Sequence, residues 1–137
     1  MDRLLDKGAS GPLYLRRPDI AELVVEALID SDRRFQRCAL HAFVVMPNHV
    51  HVLATQLAPL AEWLGPLKGY TGHRANRVLG LGGHSFWQNE SYDHLVRNEE
   101  EFLRIRRYIE WNPVRAGLVE RPEEFGWSSG GAAWKGG

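Results

Sequence analysis

Apolar and polar positions change rhythm several times along the chain, and each change predicts an element. Residues 1–18 show no sustained period, and Gly8, Gly11 and Pro12 interrupt them, so they read as loop. Pro18-Asp19 then opens a helix over residues 20–30, with apolar positions spaced for one buried face. Residues 35–45 form the first arm of a hairpin and contain the apolar run Cys38-Ala39-Leu40-His41-Ala42-Phe43-Val44-Val45, which reads as a buried strand. After the turn at Pro47-Asn48, residues 49–55 alternate and are rich in valine, as the returning strand of a hairpin would be. A second helix is predicted over residues 60–79, kinked at Pro66. A Gly-rich loop over 80–85 leads to a strand over 86–96. Asn98 caps a third helix whose first turn holds Glu99, Glu100 and Glu101, acids that the positive end of a helix dipole favours. Pro113 should stop that helix near Asn112.

The order helix, strand, strand, helix, strand, helix is most of an α+β, ferredoxin-like pattern: an antiparallel sheet with helices on one face. The first strand of that fold, which would be central, is missing or degenerate in this reading. Without it, the strand at residues 49–55 would expose unpaired backbone groups that recruit other chains. The expectation is that residues 1–15 supply a makeshift strand, with Leu13-Tyr14-Leu15 the best candidate, or that a second chain covers the gap as a homo-oligomer. A start upstream of Met1 is the third way out.

Composition narrows the classes. A chain of 137 residues is the length of one domain, residues 1–137, and 44% hydrophobic content can build a core. No apolar run approaches the ~18 residues of a membrane span, and the charged start is no secretory signal. A cytoplasmic protein without a membrane partner is the default. Cys38 stands alone in a predicted strand, as a small core residue. With 17 basic and 17 acidic residues, nucleic acid would be held by local patches rather than by a blanket of positive charge. Lys68, His73, Arg74 and Arg77 form one such patch, with no acid from residue 68 to residue 77. Lys68, Arg74 and Arg77 are candidate phosphate contacts, although a solvated helix face is an equal reading for each.

Chemistry concentrates in Met46-Pro47-Asn48-His49-Val50-His51-Val52-Leu53. Side chains at i and i+2 of a strand share a face, so His49 and His51 sit side by side and make half of a divalent-metal site; polar contacts beside a core are the bland alternative. A histidine-triad nucleotide hydrolase would need a third alternating histidine where Leu53 stands. A zinc deaminase would need His-x-Glu and a Cys-x-x-Cys, which one cysteine forbids. In the third predicted helix, Tyr108 and Asn112 are i and i+4, on one face, beside the apolar stripe Phe102, Ile105 and Ile109. Arg104 and Arg107 point away from that stripe.

The run from Met46 to Leu53 resembles the His-hydrophobic-His signature of the IS200-like, single-tyrosine transposases, and more narrowly of their REP-associated tyrosine transposase branch. Phe86-Trp87-Gln88, Tyr92-Asp93-His94, Tyr108-Ile109-Glu110-Trp111-Asn112-Pro113-Val114-Arg115-Ala116-Gly117-Leu118-Val119 and Trp127-Ser128-Ser129 resemble the same family. The match extends from about residue 4 to residue 129. The resemblance implies a metal-dependent single-strand DNA endonuclease and strand transferase acting on single-stranded or hairpin DNA. It implies Tyr108 as the nucleophile that forms a phosphotyrosine, Asn112 as third metal ligand beside His49 and His51, and manganese or magnesium as the ion. Tyr70 is the competing tyrosine; the family tolerates phenylalanine there, so DNA stacking or packing is its expected role. Tyr14 and Tyr92 read as core or rim aromatics, Trp87 and Trp111 as core. The alternative to the enzyme is a truncated, catalytically inactive nucleic-acid-binding remnant of the same fold, to which the missing strand lends weight.

Overall fold

The computed structural model describes residues 2–9, 13–82 and 85–131, with only the backbone of residues 89 and 90. Its elements run β1 (Asp2–Ala9), α1 (Pro18–Arg33), β2 (Cys38–Val45), β3 (His49–Gln56), α2 (Leu60–Leu79), β4 (Trp87–Leu95) and α3 (Glu99–Arg115), with short 3-10 turns at Tyr14–Arg16 and Pro122–Glu124. The four strands form one sheet in the order β2-β3-β1-β4, and every neighbouring pair is antiparallel. This is the ferredoxin-like arrangement with a further helix, α3, appended. Parts of the Gly-rich segment 80–85 and of the tail to residue 137 lie outside the described residues.

The first strand exists, which corrects the reading of residues 1–18 as loop. It is built from Asp2–Ala9, not from Leu13-Tyr14-Leu15, where Leu13 turns left-handed at φ 59° and Tyr14–Arg16 coil into a 3-10 turn. β1 is central and pairs with β3 along Asp2↔Thr55 to Gly8↔His49. Its other edge pairs with β4 from Arg3↔Leu95 to Ala9↔Trp87. With both edges of β3 paired, no second chain is needed to cover it.

A second correction concerns the faces. α1 and α2 pack together on one face, over Leu5, Phe43, Val50, Val52 and Ala54, with Trp63 and Ala75 inserted from α2. α3 crosses the opposite face, where Ile109 packs with Ala42, Val44, Met46 and Leu53, flanked by Leu4, Phe102 and Ile105. The helices are therefore not all on one side. Strand alternation explains this: Val50 and Val52 point one way, while Leu53, two residues beyond His51, offers the other face an apolar foothold. α3 also continues through Pro113 to Arg115. Pro113 stands in the last turn, where its missing N–H costs a single bond, and its ring is buried.

Elsewhere, the hairpin strand begins at Cys38, which leaves Phe35 in the preceding loop. The free edge of β2 is covered by the C-terminal segment: Ser128 bridges Val44, Val45 N donates to Trp127 O and Ser129 N donates to Phe43 O. Cys38 is fully buried, and burial with the nearby Asp32 pushes its thiol up to about 12. Trp111 is exposed rather than core. Trp87 is partly buried and donates from its indole to Thr71 Oγ1 at 2.9 Å. No helix among the described residues is long and apolar enough to cross a membrane.

Candidate nuclease site

The site forms where α3 lies over the sheet. His49 and His51 project from β3 on the α3 side, their ring centroids 4.6 Å apart. Directly opposite, β1 places Gly8 beside His49 and Asp6 beside His51. A Cβ on Gly8 would meet the amide end of the exposed Gln88 side chain, which could turn aside. Ile109 and Pro113 seat α3 in the apolar layer. One residue before Ile109, that seating turns the Tyr108 ring edge-on to His51, at 5.7 Å between centroids. Tyr108 remains 46% exposed. Asn112, one turn on, is half-buried.

The two imidazoles differ in how they are held. His49 Nδ1 donates to Asn48 Oδ1 at 2.6 Å, and His51 Nδ1 lies 3.5 Å from Asp6 Oδ2. The His49 contact is the arrangement which orients a metal-binding histidine, one nitrogen tethered to an oxygen and Nε2 left as donor; for His51 the Asp6 carboxylate stands close by without a hydrogen bond. His51 is 6% exposed. Burial lowers its pKa, with His49 and Arg115 adding to the effect and Asp6 opposing it; the balance favours the neutral ring, the form that ligates. Among the described residues no group of three histidine, cysteine, aspartate or glutamate side chains is arranged to hold a metal. A donor set of two imidazoles with an amide such as Asn112 suits an ion that keeps several waters.

Two residues of this cluster were not singled out from sequence. Arg115 places its guanidinium 4.4 Å from the Tyr108 ring centroid, and its Nη2 donates to Tyr108 O at 2.8 Å. Its spacing of seven from Tyr108, two helical turns, was the available signal. Asp6 could be found only by recognising β1. Tyr92, in register with Asp6, stacks on His94 at 6.2 Å and is half exposed, a rim aromatic as expected.

Lys68, Tyr70, Arg74 and Arg77 are not brought to this cluster. They lie on α2, which packs against the opposite face of the sheet. They also divide among themselves. Lys68 lines a polar groove with Lys7, His73 and Trp87, and burial together with the Lys68 charge lowers the pKa of Lys7. Tyr70 stacks instead under Arg74, whose guanidinium is 5.4 Å from its ring centroid.

No protein-family model matches the chain. It is 27% identical over 105 residues to the REP-associated tyrosine transposase of Escherichia coli, a match covering 74% of this chain and 58% of that protein. It is 25% identical over 122 residues to an uncharacterized protein of Haemophilus influenzae, covering 70% of this chain and 66% of that one. The chain thus spans less than two thirds of the length of either relative. Among solved structures, a REP-associated tyrosine transposase bound to a REP hairpin superposes with a TM-score of 0.74 at 20% identity, over 93% of this chain and 75% of that one. A candidate transposase from Deinococcus radiodurans superposes with a TM-score of 0.55 at 23% identity, over 80% and 88% of the two chains. In sequence and in fold the chain is similar to the REP-associated tyrosine transposases of the IS200-like kind, as its motifs led one to expect.

Proposed function

We propose that this chain is a metal-dependent single-strand DNA endonuclease and strand transferase that works through a phosphotyrosine on Tyr108. The observation that carries the reading is the meeting of Tyr108, from α3, with the His49–His51 pair of β3, across a contact of 5.7 Å between the Tyr108 and His51 rings. Similarity to a named transposase, and to the fold of one bound to a REP hairpin, supports DNA, single-stranded or in hairpins, as the substrate.

In this reading the Tyr108 oxygen attacks a phosphodiester phosphorus. A phosphotyrosine bond forms as the bond to the adjoining sugar oxygen breaks; the phenol gives up its proton, and the departing oxygen takes one up to become a hydroxyl. One ester replaces another, so the reverse step rejoins the strand without an energy source. His49, His51 and Asn112 would hold a magnesium or manganese ion, whose chemistry there would be to polarise the scissile phosphate and offset charge on its oxygens. Asn48 orients the His49 imidazole, and Asp6 stands beside that of His51. Arg115 offers a fixed guanidinium beside the nucleophile, suited to a phosphate oxygen. α3 sets the attack geometry, because Ile109 and Pro113 fix its position on the sheet.

The test is incubation with manganese and an end-labelled oligonucleotide carrying a hairpin and its flanking strand, followed by a denaturing gel. The wild type should yield a protein–DNA adduct and Tyr108→Phe none, with the variant's melting temperature nearly unchanged. No adduct from the wild type, or an adduct from Tyr108→Phe, would sink the proposal. The alternative, a catalytically inactive nucleic-acid-binding remnant of the same fold, loses the weight that a missing first strand lent it, and the same adduct assay decides between the two.

A further inference from the structure

The loop between α1 and β2 holds an aromatic ring away from the core. Phe35 is 46% exposed, and the guanidinium groups of Arg34 and Arg37 lie 5.1 and 4.6 Å from its ring centroid. Nearby on α2, Tyr70 is 53% exposed and carries Arg74 over its ring. Phe35, Tyr70, Arg34 and Arg37 line one open groove of about 300 Å³, along with Asp30. Two exposed rings, each paired with arginine, share one surface.

The loop presents Phe35 on a backbone whose four amides, from Arg34 to Arg37, are all bonded. The amides of Arg34 and Phe35 both donate to Asp30 O, at 3.0 and 2.9 Å, that of Gln36 to Asp32 O at 3.2 Å and that of Arg37 to Ser31 O at 2.8 Å. Arg37 O in turn accepts from Leu57 N and Ala58 N at 3.0 and 3.1 Å. Gln36 is held left-handed at φ 52°, an unfavourable conformation for a residue with a Cβ. Among the described residues, no carboxylate lies within ion-pair distance of Arg34, Arg37 or Arg74. Arginine over an exposed ring can simply shade it from water. Three guanidiniums stand around two rings, and the groove's one lining carboxylate, Asp30, pairs with none of them; that is more positive charge than shading two rings requires.

We propose that this groove binds single-stranded nucleic acid, with bases stacked on Phe35 and Tyr70 and backbone phosphates held by Arg34 and Arg37 in the groove and by Arg74 beside Tyr70. Unpaired bases offer flat faces to the rings, and phosphates offer the charge the arginines lack. An acidic peptide would satisfy the guanidiniums and leave the rings bare; a duplex would hide its bases. The groove stands on the α1–α2 side, by the end of β3 where Gln56 pairs with Cys38, whereas the histidines start the other end on the other face. The proposal therefore does not rest on the nuclease reading.

The experiment is fluorescence anisotropy of a labelled twenty-nucleotide oligothymidine with the full chain, in EDTA, over a series of salt concentrations. Phe35→Ala and Tyr70→Ala should each weaken binding by roughly 5- to 100-fold, the range that one base stack represents. Phe35→Trp should preserve binding. Arg37→Gln should reduce the slope of log affinity against log salt by about 0.7. Both rings are exposed, so circular dichroism should show each variant folded. Binding by both alanine variants within twofold of the wild type would overturn the proposal, as would equal affinity for a duplex of the same length or no binding by the wild type. No cleavage is read, so failure of the nuclease proposal would leave these outcomes intact.

Discussion

His49 and His51 neighbour each other, yet their surroundings predict different consequences when either is lost. His51 is buried against Tyr108 and faces Asp6; His49 is half-buried and held by Asn48. If both ligate, His49→Ala and His51→Ala should each abolish manganese-dependent cleavage. Only His51→Ala should also cost stability, by roughly 1–3 kcal/mol, because it opens a gap and removes the partner of Asp6. Urea denaturation beside the cleavage assay would separate the two effects, and either variant cleaving at wild-type rate would end the ligand role. Tyr70→Phe should retain the DNA adduct, since Tyr70 lies on the face opposite His51; loss of the adduct would mean that the nucleophile is misassigned. The pairing of His49 with His51 and of Tyr108 with Asn112 was legible in the sequence because period-two and period-four spacing are properties of the local backbone. Asp6 and Arg115 were not, because their roles depend on which element packs beside which.

At the scale of elements, α3 is anchored at its first turn, and this anchor also reaches the site's rim. Asn98 accepts from Glu101 N at 2.9 Å, so Asn98→Ala should cost about 1 kcal/mol. Glu101 folds back, accepting from Arg97 N at 2.9 Å, His94 Nε2 at 3.0 Å and Arg97 Nη2 at 3.2 Å. These bonds, that from the Arg97 backbone foremost and then that from His94, hold its carboxyl down to about 2 from an ordinary 4.5. A carboxylate with a depressed folded pKa stabilises fully above its unfolded value and progressively less as pH falls. Its contribution should therefore fade from pH 4.5 toward 2. Glu101→Gln should lower stability at pH 7 and flatten the pH dependence across that window; unfolding curves measured from pH 7 to 2 would show it, and an unchanged slope would contradict the assignment. Sequence revealed the cap and the acids of this first turn, but assigned Glu101 only to the helix dipole. The missed element, β1, has a clear cause. Asp2, Leu4, Asp6 and Gly8 share one face in register with Thr55, Leu53, His51 and His49, and Arg3, Leu5, Lys7 and Ala9 take the other. Each face mixes charge with apolar side chains, so Asp2–Ala9 shows no clean alternation. Two of the residues that break it, Asp6 and Lys7, are those that face the candidate site and the polar groove.

For the molecule as a whole, that poorly patterned strand is the piece on which the rest depends. β1 is the only hydrogen-bonded link between β4 and the β2–β3 hairpin among the described residues. It also contributes Leu5 to the core under α1 and α2 and Leu4 to the layer under α3. Removing residues 2–9 would strip backbone partners from both β3 and β4, at roughly 1–3 kcal/mol for each group left buried and unpaired. Against a total stability of about 5–15 kcal/mol, a few such groups exceed what the domain can lose. The deleted chain should show no cooperative thermal transition and should aggregate through its open edges. Leu5→Ala, which keeps the strand and removes only apolar contacts, should instead remain folded with a loss of about 2–5 kcal/mol. A deletion variant that still melted cooperatively would show that β4 and the hairpin are held together by their helices rather than by β1. Asp6 would then be absent from a folded protein, and the cleavage assay on that variant would measure directly what its carboxylate does for His51.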